Sequence, residues 1–319
     1  MGASIDETRN FLSRLRLPSG DRHDLPSSTK RFPDGAQYRI EIPSCEGPAA
    51  MRAVVEEADR YGVTIQRISQ GSGVMLLTDR EIGEMVRLGH ERGMEVSLFV
   101  GPRAGWDTGA TAVSPAGRVV ASRVRGADQL VFAVEDVRRA CSLGVRSVLV
   151  ADEGLLWVLG EMKRASVLPA DLVLKVSVMM GSANPASIAV MERLGAGTYN
   201  IPTDLSLAQI AAIRQAVDVP LDVYVEAPDD LGGFVRHYEI PELIRVAAPV
   251  YIKFGLRNAP VIYPSGTHLE ATAVALVRER VRRARLGVEM IRRYSPELTA
   301  SSTGAAGLGI PAVPAGSPR

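Results

Sequence analysis

Only two cysteines, Cys45 and Cys141, occur in 319 residues. That scarcity excludes a disulfide scaffold and leaves too few thiolates for a four-cysteine iron–sulfur cluster. Histidine is also sparse. His23, His90, His237 and His268 show no paired ligand spacing, so no metal site is expected from them. No apolar run reaches the length of about 18 residues that a transmembrane helix needs. The first residues, MGASIDETRNFLSRLRLPSGD, lack the apolar stretch of a secretory signal, and a cytoplasmic location is expected. Neither sign of charge dominates, since 37 basic residues against 36 acidic ones leave +1. Such a balance provides no attraction to nucleic acid or an anionic membrane, and neither partner is expected.

Lysine is rare in a different way. Of the 37 basic residues only Lys30, Lys163, Lys175 and Lys253 are lysines, and Lys175 and Lys253 fall inside strand-like runs. Arginine makes the better fixed ion pair and does not deprotonate in proteins. Lysine kept at two strand positions therefore points to a compact or titratable ammonium.

Eight β-branched runs alternate with helical patterns: QYRIEI, VTIQRIS, EVSLFVG, SVLVAD, LVLKVSV, TYNIP, LDVYVEA and VYIKFG. Thr78 and Glu81 form a capping-box signature at one helix start, and Asn184-Pro185 and Thr203-Asp204 read as two more. Strand–helix alternation implies a parallel sheet, and eight strands close a barrel, a fold that needs about 250 residues. A doubly wound open sheet uses similar units. It usually carries a glycine fingerprint after its first strand, where this chain reads IPSCEGP. The expectation is an α/β chain with a single-domain (β/α)8 TIM barrel over 36–294. An irregular leader over 1–35 precedes it, and a flexible tail over 295–319, rich in Ala, Gly, Pro and Ser, completes the chain.

Alternation along the strands assigns the faces. With Ile40, Ile42, Val176, Val223, Val225, Ile252 and Phe254 outward, Arg39, Glu41, Lys175, Ser177, Asp222, Tyr224, Glu226, Tyr251 and Lys253 point inward. A barrel interior is normally filled by Val, Ile and Leu. Closure makes strands seven, eight and one neighbours, so Glu226, Lys253, Glu41 and Arg39 are expected on one arc of the rim. An ion network that only fixes strand register would give the same pattern.

The loops after the strands add weaker candidates. Gln70-Gly71-Ser72-Gly73 could offer amides to an anion or be an ordinary tight turn. Asp152, Glu153, Asn200 and Asp204 are ligand contacts or helix caps, with the cap favoured for Asp204. Arg257-Asn258 lies just past the last strand, where many barrels hold phosphate or carboxylate groups. The stretch from Gly101 to Gly126, with Arg103, Trp106 and Asp107, is long for such a loop and fits a lid, an oligomer contact or a surface insertion. Cys45 precedes a helix start, and there is no GxSxG elbow. The arginines of the last helix, Arg278, Arg280, Arg282, Arg283 and Arg285, read as a solvated surface.

Two segments, NIPTDLSLAQIAAIRQAVDVPLDVYVEA and VYIKFGLRNAP, resemble the collagenase-like peptidases of family U32. Lys253 and Arg257 match the lysine and arginine of that family's KIEGR-type motif, whereas Gly255 and Leu256 depart from its glutamate and glycine. The signature region reads VEAPDDLGGFVRHYE, without the family's cysteines. The resemblance implies a barrel and a peptidase activity. Some members act in RNA modification or ubiquinone hydroxylation, and several hold an iron–sulfur cluster.

The functional expectation is a hydrolase acting on a peptide or small polar substrate. Glu226 is the acid/base, with Lys253 and Glu41 completing the catalytic set. Arg39, Lys175, Asn200, Arg257, Gln70 and Trp106 contact the substrate. Two other classes fit the same residues: a lyase or isomerase forming a Schiff base on Lys253 or Lys175, and a non-catalytic binding or partner protein. No cofactor is expected. A divalent cation beside the acids and a homo-oligomeric state stay open.

Overall fold

Ile42, Ile68, Val96, Val148, Leu174 and Val176 are fully buried on the outward faces of strands whose alternate residues are mostly polar. Those apolar faces need covering by helices, and the chain supplies a helix after each strand. The computed structural model describes residues 5–14, 24–107 and 109–314. Its elements are α1 (Ile5–Arg14), β1 (Tyr38–Ile42), α2 (Pro48–Tyr61), β2 (Arg67–Gln70), α3 (Asp79–Glu91), β3 (Glu95–Phe99), α4 (Ala110–Val113), α5 (Gly126–Ser142) and β4 (Ser147–Val150). They continue with α6 (Glu153–Arg164), β5 (Val173–Val176), α7 (Pro185–Leu194), β6 (Thr198–Asn200), α8 (Leu207–Ala216), β7 (Leu221–Glu226), α9 (Ile240–Ala247), β8 (Val250–Phe254) and α10 (Glu270–Tyr294).

All eight strands are parallel and close in sequence order. The closing pair sets Arg39 opposite Tyr251 and Glu41 opposite Lys253. The chain is a (β/α)8 barrel, and the open-sheet alternative is excluded by that β1–β8 ladder.

Local signals start the helices. Thr78 accepts from Glu81 N while the Glu81 carboxylate answers the Thr78 amide. Asn184 caps α7 by accepting from Ser187 N at 2.9 Å. For α8 the cap is Ser206, paired with Gln209, and not Asp204 as the sequence suggested. Thr203 instead donates its hydroxyl to Leu231 O at 2.5 Å.

Both ends of the chain depart from expectation. The leader contains α1, and its residues from 24 onward are tied to the barrel: Lys30 Nζ donates to Val217 O at 2.6 Å, and Phe32 meets Tyr251 edge-on at 5.3 Å. Residues 295–314, expected to be disordered, cross the amino-terminal end of the barrel. Gln66 donates to Ser301 O at 2.6 Å, Gly304 N to Gly93 O at 2.9 Å, and Ala312 N to Gly144 O at 2.9 Å. Composition underestimated this segment because its order comes from backbone groups pairing with the barrel floor, which needs no large apolar side chain. Residues 1–4, 15–23 (His23 among them), 108 and 315–319 lie outside the described residues.

Candidate functional site

The barrel interior is ionic. Glu41 and Asp222 face each other through two shared cations. Lys175 Nζ contacts Glu41 Oε2 at 2.6 Å and also reaches Asp222 Oδ2. Arg67 Nη1 lies 3.1 Å from both Glu41 Oε2 and Asp222 Oδ1, while its Nε reaches Glu95 Oε1 at 2.8 Å. Lys253 Nζ completes the set at 3.1 Å from Glu41 Oε1. Three cations thus balance three carboxylates. Hydroxyls satisfy further lone pairs: Ser69 donates to Glu41 and Ser147 to Glu95, both at 2.7 Å, and Thr198 to Asp222 at 3.2 Å. Arg67 Nη2 has no hydrogen-bond partner among the described residues, but the pairing of every charge with an opposite one is what allows the charges to persist in a low-dielectric interior.

The network sets its members' protonation. Burial opposes ionisation of Glu41, but Lys175, Lys253 and Arg67 overcome it and hold the carboxyl well below the usual range. Burial disfavours the charged form of Arg67 too. Glu95, Tyr251, Asp222 and Glu41 outweigh that and raise it further. For Lys175 burial wins, helped by the neighbouring Lys253 and Arg67, and the ammonium is held below its ordinary value despite its two carboxylates.

Above this layer, at the carboxyl ends of the strands, lies a cavity of about 410 Å³. Lys253 forms part of its floor, its ammonium 4.4 Å from the centre of the Tyr224 ring. Ser69, Gln70, Ser177 and Asn200 continue the polar side, and Phe99 and Leu149 provide an apolar wall. The segment after β3 covers the opening. Its Arg103 guanidinium is stacked 3.5 Å from the Phe99 ring and 4.2 Å from Trp106, and donates to Gly71 O. Burial lowers Arg103 to about 10, against the opposing pull of Tyr263 and Glu46. Lys253, Arg103 and Arg118 line the cavity against one acid, Asp230, so it is suited to an anionic ligand.

Residues 119–227, from the end of this covering segment through β7, match the sequence model of peptidase family U32. Over that span, about a third of its length, the chain is similar to the U32 peptidases. The comparison with curated proteins gives no match. Among solved structures, the U32 peptidase Mk0906 is 22% identical over 63% of this chain and 73% of its own, with a TM-score of 0.40. A putative phosphonomutase from Burkholderia cenocepacia J2315 is 12% identical over 78% and 95%, with a TM-score of 0.45. At such TM-scores neither structure bears on chemistry, and the barrel rests on the chain's own strand pairing.

The U32-related span supplies Lys175, Asn200, Asp222 and Tyr224 to the interior, while Glu41 and Lys253 come from outside it. Of the residues expected to form the site, Lys253, Gln70, Asn200 and Trp106 line the cavity. Glu41 and Lys175 lie beneath it, fully enclosed. Arg39 does not reach the rim. It points to the opposite end, where it donates to Ser301 Oγ at 2.9 Å, Tyr251 Oη at 3.0 Å and Ala306 O at 2.6 Å. Two residues before Glu41, it occupies the layer below, which the folded tail seals.

Glu226 is the larger correction. The ladder between β7 and β8 slips between Tyr224 and Glu226, so Tyr224 pairs with Lys253 but Glu226 pairs with Phe254. Partners in register share a face, and Phe254 faces the helices. The irregularity therefore turns Glu226 outward, against strict alternation. Its carboxylate lies 3.3 Å from His237 Nε2 and 3.4 Å from Arg283 Nε, and accepts from Arg257 N at 3.1 Å. Burial would raise it, but His237, that amide and Arg283 together lower it. The Arg257 side chain is exposed and pairs with Asp229 at 3.4 Å.

Three loop candidates also resolve. The amides of Gly71 and Ser72 are occupied by the Glu46 carboxylate at 2.6 and 3.1 Å, so the turn holds an anion of its own. Asp152 caps α6, accepting from Leu155 N at 2.9 Å. Burial, with Glu46 adding, pushes the fully buried Cys45 thiol up, away from thiolate chemistry. Among the described residues no group of three His, Cys, Asp or Glu side chains is arranged to hold a metal.

Sequence reasoning missed Arg67, Glu95 and Ser69. The signal was present: Ile68, Val96 and Leu98 face outward, so the same period-two rule turns Arg67, Ser69 and Glu95 inward. Tyr263, from the irregular segment after β8, also lines the cavity and hydrogen-bonds Ser44. No periodicity announced it.

Proposed function

We propose that the chain is an enzyme that binds a small substrate over Lys253, with an anionic or polarised oxygen held against that ammonium. The observation that carries this reading is the contrast between the two interior lysines. Lys175 is sealed within the ion network, whereas Lys253 keeps one carboxylate contact and lies on the cavity floor. A preorganised ammonium in a partly dry pocket stabilises negative charge developing on a carbonyl oxygen better than water does. Hydrolysis of an amide, which the U32 relationship favours, develops such charge. Ser69, Ser177 and Asn200 would orient the substrate. Glu226, facing away from the cavity, is withdrawn as acid/base. A cytoplasmic setting goes with this reading; no helix among the described residues is long and apolar enough to cross a membrane.

The test is turnover of a mixed library of short peptides, N-acyl amino acids and small oxo acids, monitored by mass spectrometry. Lys253→Met is expected to lower kcat/KM on any accepted compound by at least about a hundredfold, the range seen when one oxyanion donor is removed. Undiminished turnover by Lys253→Met would end the proposal.

A second reading has its own support: Lys253 provides the interior amine that borders open space, as a Schiff-base lysine must. Borohydride in the presence of an accepted oxo acid would then add the reduced substrate mass to Lys253. Turnover without such an adduct leaves the hydrolytic reading.

A further inference from the structure

Arg280 lies on α10 and is only 4% exposed, although the pattern of that helix placed it among surface arginines. Its Nη1 donates to Ser44 O at 3.3 Å, and its Nε has no partner among the described residues. No carboxylate among the described residues forms an ion pair with it. Glu46 acts on it from nearby, but both Glu46 oxygens accept from the Gly71 and Ser72 amides. The charges of the central layer, by contrast, are each matched by one of opposite sign. A buried guanidinium without a counter-ion is unfavourable unless something anionic completes it.

The space beside it has the right form. Arg280 lines a chamber of about 90 Å³, which shares Ser44, Tyr224, Asp230 and Tyr263 with the main cavity. That is on the order of three waters, each taking about 30 Å³ in the liquid. We propose that this chamber is a carboxylate subsite, so that a substrate lying over Lys253 places a second, carboxylate end beside Arg280. The subsite rests on Lys253 being the cation that anchors the first end. A monoanion is indicated because one guanidinium balances one negative charge, and a planar carboxylate accepts two of its N–H groups side by side. Asp229 is engaged by Arg257 and the Asn258 amide, and the repulsion from Asp230 that a carboxylate must overcome weighs twice as heavily on a phosphate dianion.

The probes are acetate and the linear dicarboxylates from malonate to adipate, titrated calorimetrically into the full chain. One dicarboxylate is expected to bind at least tenfold tighter than acetate. Arg280→Met should remove that advantage without lowering the melting temperature, since it deletes an unpaired buried charge, and Arg280→Lys should restore part of it. Asp230→Asn should tighten the dicarboxylate. Equal dicarboxylate affinity in the parent chain and Arg280→Met overturns the subsite, as does a parent chain that prefers none of the probes over acetate. A loss of stability in Asp230→Asn would identify that carboxylate as the partner of Arg280 and overturn it too. Lys253→Met separates the two ideas: sensitivity to Arg280 alone leaves the chamber and sinks the reading of Lys253, and the reverse result does the opposite.

Discussion

Lys175 Nζ lies 2.6 Å from Glu41 Oε2 at the centre of the barrel, and both side chains are fully shielded from solvent. This pair joins β5 to β1 across the interior, and Arg67 and Asp222 bind the same two groups from the remaining sides. Removing one partner should be costly. Glu41→Gln leaves three cations facing two carboxylates, and breaking a buried pair in this way costs about 3–5 kcal/mol. Urea unfolding measures it. The double change Glu41→Leu with Lys175→Met should cost less than the sum of the single changes, because neither charge is then stranded. Additive costs would show that the two groups do not act as a pair.

Acid should destabilise the protein through Glu41. Its folded carboxyl titrates well below the ordinary range, while the unfolded chain takes up this proton near about pH 4.3. The stabilisation is therefore present above about pH 4.3 and is lost as pH falls towards the folded value. Asp136 works in the opposite sense. Burial raises it to about 6, against Arg139 and the backbone amides of Gly101 and Met75. Its contribution is full below the unfolded value of about 3.9 and disappears as pH rises through about 6. Melting temperatures of Asp136→Asn between pH 4 and 7 should lack that upper slope. An unchanged slope would assign it to another group.

Trp106 offers an optical signal for the cavity. The chain has two tryptophans, Trp106 beside Arg103 over the cavity and Trp157 on α6, where it is 52% exposed. A ligand entering the cavity should change Trp106 emission in a Trp157→Phe background. Trp106→Ala removes one face of the Arg103 stack, a contact worth about 0.5–2 kcal/mol. It should weaken ligand binding by up to about thirtyfold. Emission indifferent to a bound ligand would place the ligand elsewhere.

Glu226 should prove structural. Glu226→Gln removes the buried charge beside His237 and one of the two carboxylates at Arg283, which keeps Glu279 at 3.1 Å, and a loss of about 1–3 kcal/mol is expected for disturbing a buried polar group. Turnover on any accepted substrate should stay within about twofold of the parent chain. A collapse of kcat with stability intact would return Glu226 to the chemistry.

The folded tail should hold the barrel floor. Truncating the chain before Thr299 removes the Ser301 and Ala306 acceptors of Arg39 and the Gly309 amide that reaches Glu95 at 3.1 Å. At about 1 kcal/mol for each hydrogen bond, more where a charge is involved, the shortened chain should lose several kcal/mol. Hydrogen exchange should rise first in β1 and β3. Unchanged exchange there would mean that the tail covers the floor without supporting it.

How much of this was readable in advance depended on the range of the interactions involved. Strand–helix alternation, the helix caps at Thr78 and Asn184, and the inward turn of Glu41, Lys175 and Lys253 arise from periods of two and 3.6 and from groups three residues apart. Those are local properties, so the sequence determined them, and the number of strands fixed closure. The outward turn of Glu226 came from a slip in its pairing with β8, and the burial of Arg280 came from the surroundings of α10. The order of residues 295–314 came from backbone partners more than a hundred residues away. Each needs a neighbour distant in sequence, and a charged or small side chain does not reveal whether it will have one. Only the closed barrel, by bringing those neighbours within bonding distance, decided which charges were locked together and which, like Lys253, were left facing open space.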